Sequence, residues 1–155
     1  MPNLFPEGFE DEIVTAEELV SSAPIGYKGG ASFDYESGDF VRDGRNHMTG
    51  CSGVDSWKQW CVNTLQTERY RCLAYSTDIG LELSPVFQAT SRGEAESILV
   101  RQITEALMAD PYQRTAFVER VDITWTAPDA VKAYVLVHGI QNVTIDFEIS
   151  LAKGV

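Results

Sequence analysis

Asn142-Val143-Thr144-Ile145-Asp146-Phe147-Glu148-Ile149-Ser150-Leu151 is the stretch that decides the fold. Val143, Ile145, Phe147, Ile149 and Leu151 are apolar, and the residues between them are polar. Strict alternation over this length describes a β-strand with one buried and one wetted face. Upstream, Val131 to His138 repeats the pattern through Val131, Ala133, Val135 and Val137. Val118 to Thr126 repeats it through Val121, Ile123 and Trp125. The links Ala127-Pro128-Asp129 and Gly139-Ile140-Gln141 are short enough for antiparallel turns. The last third is therefore expected to be a three-stranded meander.

Further towards the N-terminus the apolar period changes from two to 3.6. Val54, Trp57, Cys61 and Leu65 predict a helix over 54–67, capped by Ser52 or Asp55. Ala95, Ile98, Leu99, Ile103, Ala106 and Leu107 predict a second over 92–109. Ser91 and Glu94 form a capping box at its start, and Asp110-Pro111 stops it. Residues 81–90 read as a link through Pro85. Residues 25–50 read as a hairpin: Ser32 to Tyr35 alternates, Glu36-Ser37-Gly38-Asp39 turns, and Phe40-Val41-Arg42 resumes. Helices are thus segregated from strands. The expected class is α+β, with a small antiparallel sheet (N-terminal hairpin plus C-terminal meander) and two main helices. Residues 25–155 are expected to form one domain. Residues 1–24 read as an arm with six acids, no bases and three prolines. It is either a solvated terminus, with a short helix at Thr15 to Ser21, or a segment that docks Leu4, Phe5 and Phe9 onto a partner.

Composition narrows the function. At 155 residues and 44% apolar, the chain can build a core without disulfides or metals. Its 23 acids against 12 bases give a net charge of −11, which opposes binding to nucleic-acid phosphates or anionic membranes. No apolar run approaches the roughly 18 residues of a membrane span. The first base is Lys28, which argues against a secretory or transit leader. Cys51, Cys61 and Cys72 match no zinc spacing and read as small reduced hydrophobes. His47 and His138 lie in no metal or triad motif, and no glycine-rich phosphate loop occurs. No cofactor, metal or small-molecule substrate is expected. Asp39, Asp43 and Asn46 lack the order of a calcium loop and suit turns better. Glu68, Asp78 and Glu82 are the carboxylates whose crowding fits hydrolytic chemistry. Arg69 and Arg71 beside Glu68 make a partly buried structural ion pair the simpler reading.

The stretch Leu65-Gln66-Thr67-Glu68-Arg69-Tyr70-Arg71-Cys72-Leu73-Ala74-Tyr75-Ser76-Thr77-Asp78-Ile79-Gly80-Leu81-Glu82 resembles a known family. It is similar to the short baseplate proteins of contractile phage tails typified by XkdS, which are related to the sheath-initiating wedge component and to TssE of type VI secretion. That pattern has a helix with a Gln, then Asn-Thr-Glu-Arg-Tyr, then Tyr-Ser-x-x-Tyr-Gly-x-Glu. Here Gln59 and Asn63 on the helix precede Thr67-Glu68-Arg69-Tyr70, Tyr75-Ser76 and Gly80-x-Glu82. Ile79 replaces the aromatic before the glycine, and Thr67 and Tyr70 flank the Glu-Arg pair. The likeness covers about Gly50 to Leu151.

The resemblance implies a non-enzymatic part of a tail baseplate, assembled in the host cytoplasm. It implies about six copies around the tube. Their partners would be the tail sheath, other wedge subunits and the central hub. Glu68, Arg69, Tyr70, Tyr75 and Gly80 would brace the core near the wedge contact. The terminal strand, through Val143, Ile145, Phe147 and Ile149, would join strands of the sheath by main-chain pairing, which proline at Ile145 or Phe147 would block. The same pattern also fits an ordinary internal strand. The alternatives are a small hydrolase using Glu68 with Asp78 or Glu82, and a non-contractile tail adaptor.

Overall fold

The computed structural model describes residues 26–154. The arm over 1–24, with Leu4, Phe5, Phe9 and the Thr15 to Ser21 expectation, lies outside the described residues. Four two-residue strands come first: β1 (Gly30–Ala31), β2 (Phe33–Asp34), β3 (Asp39–Phe40) and β4 (Gly50–Cys51). β2 pairs with β3 and β1 with β4, both antiparallel. The expected hairpin is therefore a pair of small ribbons, separate in hydrogen bonding from the meander. Strands this short cannot hold themselves. Side chains tie them to α1 (Gly53–Gln66): the Phe33 N–H donates to Gln59 Oε1 at 2.8 Å and the Tyr35 hydroxyl to the Gln59 carbonyl at 3.2 Å.

Ser52 caps α1, its Oγ accepting from the Asp55 N–H at 3.1 Å. The link expected over 81–90 contains a short helix, α2 (Ser84–Phe87), with Pro85 in its first turn. Proline's fixed φ suits that position, so the signal was present in the sequence. α3 (Arg92–Met108) begins at Ser91, whose Oγ accepts from the Glu94 N–H at 3.2 Å. The returning half of the box is shifted by one residue. Glu94 accepts from the Thr90 N–H at 3.0 Å and the Thr90 hydroxyl at 2.6 Å. The Thr90 hydroxyl, then its N–H, hold the Glu94 carboxyl below the usual glutamate range.

The meander is β5 (Thr115–Ala127), β6 (Ala130–Gly139) and β7 (Thr144–Ala152), antiparallel in that order. A 3-10 turn, Ile140–Asn142, joins β6 to β7, with Gln141 and Asn142 at φ 58° and 57°. One face of the sheet is buried: Val131, Ala133, Val135 and Val137 of β6, and Ile145, Phe147, Ile149 and Leu151 of β7. Trp57, Cys61 and Leu65 of α1 and Leu99, Ile103 and Leu107 of α3 complete the core. α1 lies over β7 and α3 over β5. The alternation that marked the strands is thus the alternation of burial, as hydrophobic packing requires. The reading of three hydrophobic cysteines holds for Cys61 and needs correction for Cys72. All three are free thiols, but Cys61 is buried, Cys51 half-buried and Cys72 exposed. Burial pushes the Cys61 thiol well above the ordinary range, so it acts as a packing group.

Candidate functional site

The Glu-Arg stretch closes a loop. Arg69 N–H donates to the Leu81 carbonyl and Leu81 N–H to the Thr67 carbonyl, each at 2.9 Å. A parallel bridge therefore joins Glu68 to Leu81. The Arg69 Nε donates to the Gly80 carbonyl at 3.0 Å. Gly80 is required here: its φ is +95°, and a Cβ would stand 2.6 Å from the Thr67 carbonyl oxygen. Leu81, 1% exposed, roots this clamp in the core. Beyond it, residues 70–79 form an exposed loop carrying Tyr70, Leu73 and Tyr75 at its surface.

The ion pair expected between Glu68 and Arg69 or Arg71 forms with Arg71, but at the surface rather than partly buried. Glu68 pairs with Arg71 at 3.3 Å, and both side chains are mostly exposed. Arg69 serves the backbone instead. The buried ion pair lies elsewhere, at the entry to β5. Arg114 Nε and Nη2 donate to the two Asp110 oxygens at 2.9 and 3.0 Å, with side chains 7% and 1% exposed. Asp110 also accepts the N–H groups of Tyr112 and Arg114. The Arg114 guanidinium stacks over Trp60 and Tyr112, at 5.5 and 5.1 Å from the ring centroids. Asp110-Pro111 was legible as a helix stop. The Arg four residues after the Asp was the signal for the pair.

The carboxylates of the hydrolase reading separate. Glu68 and Glu82 line one cleft of 470 Å³, while Asp78 opens onto another with Arg69 and Glu105. Among the described residues, no three His, Cys, Asp or Glu side chains are placed to hold a metal, and no helix is long and apolar enough to cross a membrane.

The 470 Å³ cleft does bring two expected features together. It runs from Glu68 and Arg71 to Leu151, Ala152 and Lys153 at the end of β7. β7 pairs within the chain's own sheet, and among the described residues it lies at that sheet's edge. Its free edge can be read from its two ends. Gly139 N–H donates to the Val143 carbonyl at 2.7 Å, and Lys153 N–H to the Asp129 carbonyl at 2.9 Å. Antiparallel bonding alternates, and the register from Ala130↔Ala152 to His138↔Thr144 is unbroken. The odd residues of β7 therefore bond to β6. The N–H and C=O groups of Thr144, Asp146, Glu148 and Ser150 point outward and take no strand partner among the described residues. Ile145, Phe147 and Ile149 are core residues and Val143 is half-buried, so none of them projects from the sheet as an exposed docking side chain. Proline at Ile145 or Phe147 would break the chain's own ladder rather than the free edge.

A comparison with curated proteins returned no match. A sequence profile of contractile injection system sheath initiators matches residues 31–148, from β1 through the Glu-Arg clamp into β7. With that match over most of its length, the chain belongs to the contractile injection system sheath initiator family, whose role is structural and related to the sheath.

Proposed function

We propose that this chain sits in the baseplate of a contractile phage tail or tail-like particle, links wedge and hub proteins to the sheath, and starts sheath assembly without catalysing a reaction. About six copies surround the tube, a number that rests on the family resemblance. Residues 25–155 form the working domain, and the acidic arm over 1–24 reaches a further baseplate neighbour through Leu4 and Phe5. The observation that carries the reading is the free edge of β7, regular along its length and backed by a packed core. Such an edge is a liability in an isolated protein and a template in an assembly. The Glu68–Leu81 clamp holds the 70–79 loop, with Tyr70 and Tyr75, out towards the wedge.

Glu148→Pro tests this. It removes an outward donor while leaving the bonds from β7 to β6 in place. The variant should fold, with an unchanged circular dichroism spectrum, yet fail to nucleate a contractile-tail sheath protein that the unaltered chain nucleates, when assembly is followed by electron microscopy. Normal sheath growth on a folded Glu148→Pro protein overturns strand addition at β7.

A further inference from the structure

The free edge of β7 runs beside a cavity of 440 Å³. Phe33 and Tyr35 of the N-terminal ribbon, Val62 and Gln66 of α1, and Phe147 and Glu148 of β7 line it. Phe147 and Glu148 are neighbours on opposite faces of β7. A cavity bounded by both opens along the strand's edge. A strand added there would turn every second side chain inward, into the space between α1 and the ribbon. Its other side chains would stand beside the outward row Thr144, Asp146, Glu148 and Ser150.

That row holds two acids and no base. Glu148 is paired with Lys132 of β6 at 3.0 Å. At the α1 rim, Asp55 and Lys58 offset each other. The row also opposes the most fully overlapping pairings with a second copy of this chain. Antiparallel self-pairing centred on Phe147 sets Asp146 opposite Glu148. Shifting by one step sets Asp146 opposite Asp146, or Glu148 opposite Glu148. Parallel pairing in register aligns each acid with itself. Like charges directly opposite are destabilising in a sheet, so these pairings are disfavoured and a strand of the other sign is favoured.

We infer that β7 selects an extended segment of another protein, one with a bulky apolar side chain turned into the Phe33–Tyr35–Val62–Phe147 cavity and Lys or Arg on the outward positions to either side. The inference rests on strand addition at β7 and adds the chemistry of the incoming strand. Backbone pairing gives affinity to any extended chain, whereas the cavity and the acidic row decide which chain is taken.

Two synthetic peptides provide the test: Thr-Val-Lys-Leu-Lys-Val-Thr and its twin with Glu in place of both lysines. Binding is measured by fluorescence anisotropy at low salt, and amide hydrogen exchange reports where each peptide sits. The lysine peptide should bind the whole chain roughly tenfold more tightly than its twin and protect the amides of Thr144, Asp146, Glu148 and Ser150. The double variant Asp146→Lys, Glu148→Lys should reverse the preference. Gln66→Trp, which fills the cleft from an exposed position of α1, should weaken both peptides. Equal binding with β7 protected overturns the charge selection and leaves strand addition standing. Absence of protection along β7 with either peptide overturns both. Self-association of the chain through β7 overturns the choice of occupant.

Discussion

The two edges of the sheet are built differently. β5 departs from regular register three times, between Thr115 and Phe117, Val118 and Arg120, and Trp125 and Ala127. Its start is held by the buried Asp110–Arg114 pair. Near its end, Trp125 donates to Glu96 of α3 at 2.9 Å and packs edge-on against Phe87 of α2. β7 has no irregularity over its nine residue pairs with β6. Bulges and side-chain anchors disrupt an edge as a template, while a regular edge remains one. Ile145, Phe147, Ile149 and Leu151 of β7 are buried, whereas Val118, Val121, Ile123 and Trp125 of β5 are half-buried, so the regular edge is also the more firmly backed one. One edge is tied down by side chains, and the other leaves its outer peptide groups unpaired among the described residues.

Breaking the tied-down edge should have the largest effect on stability. Asp110→Ala leaves the Arg114 guanidinium buried and unpaired, at a cost of about 3–5 kcal/mol in urea unfolding. A loss under about 1 kcal/mol would mean that β5 is not anchored there. On the β7 side, Phe147→Pro should cost about 3 kcal/mol or more, because its N–H serves the chain's own ladder and its ring fills the core. Equal losses from Phe147→Pro and Glu148→Pro would break the assignment of odd residues to β6. Gly80→Ala, whose Cβ would push against the Thr67 carbonyl and loosen the clamp beside the end of β7, should cost about 1–3 kcal/mol and speed exchange of the Leu81 amide. Unchanged exchange would separate the clamp from that glycine. Glu68→Gln removes only an exposed ion pair and should change stability by no more than about 1 kcal/mol. A larger loss would restore the carboxylate to the bracing role that the sequence suggested.

The smallest effect concerns the cap of α3. Thr90 lowers the Glu94 pKa in the folded state. Its contribution is present above the unfolded value, near 4.5, and fades as pH falls through the folded pKa. Glu94→Gln should flatten the acid limb of the stability curve, read by thermal unfolding between neutral and acid pH. An unchanged limb would mean that the box at Thr90 contributes nothing.

How far the sequence carried depended on whether a feature is local. The 3.6-residue period placed α1 and α3 within a residue or so of their ends, since caps and apolar faces are encoded in adjacent residues. The resemblance carried by Thr67 to Glu82 led to the family that the profile match over 31–148 shows. The Glu-Arg motif was found and its ion pair forms with Arg71, but exposed where partial burial was expected. Adjacency showed both arginines beside Glu68, but only the folded chain decides that Arg69 donates to the Gly80 carbonyl and that Arg71 meets Glu68 at the surface.

By itself, the sequence determined that the last segment alternates and that one of its faces must be buried, because a period of two allows an amphipathic strand no other arrangement. It also determined the acidic row along the outer face. Tertiary structure alone decided that this segment lies at the edge, which peptide groups it leaves free, and that the ribbon and α1 enclose a cavity beside it. Those facts depend on which strand finds which neighbour across long stretches of chain. Packing of the whole core makes that choice, and no local pattern records it.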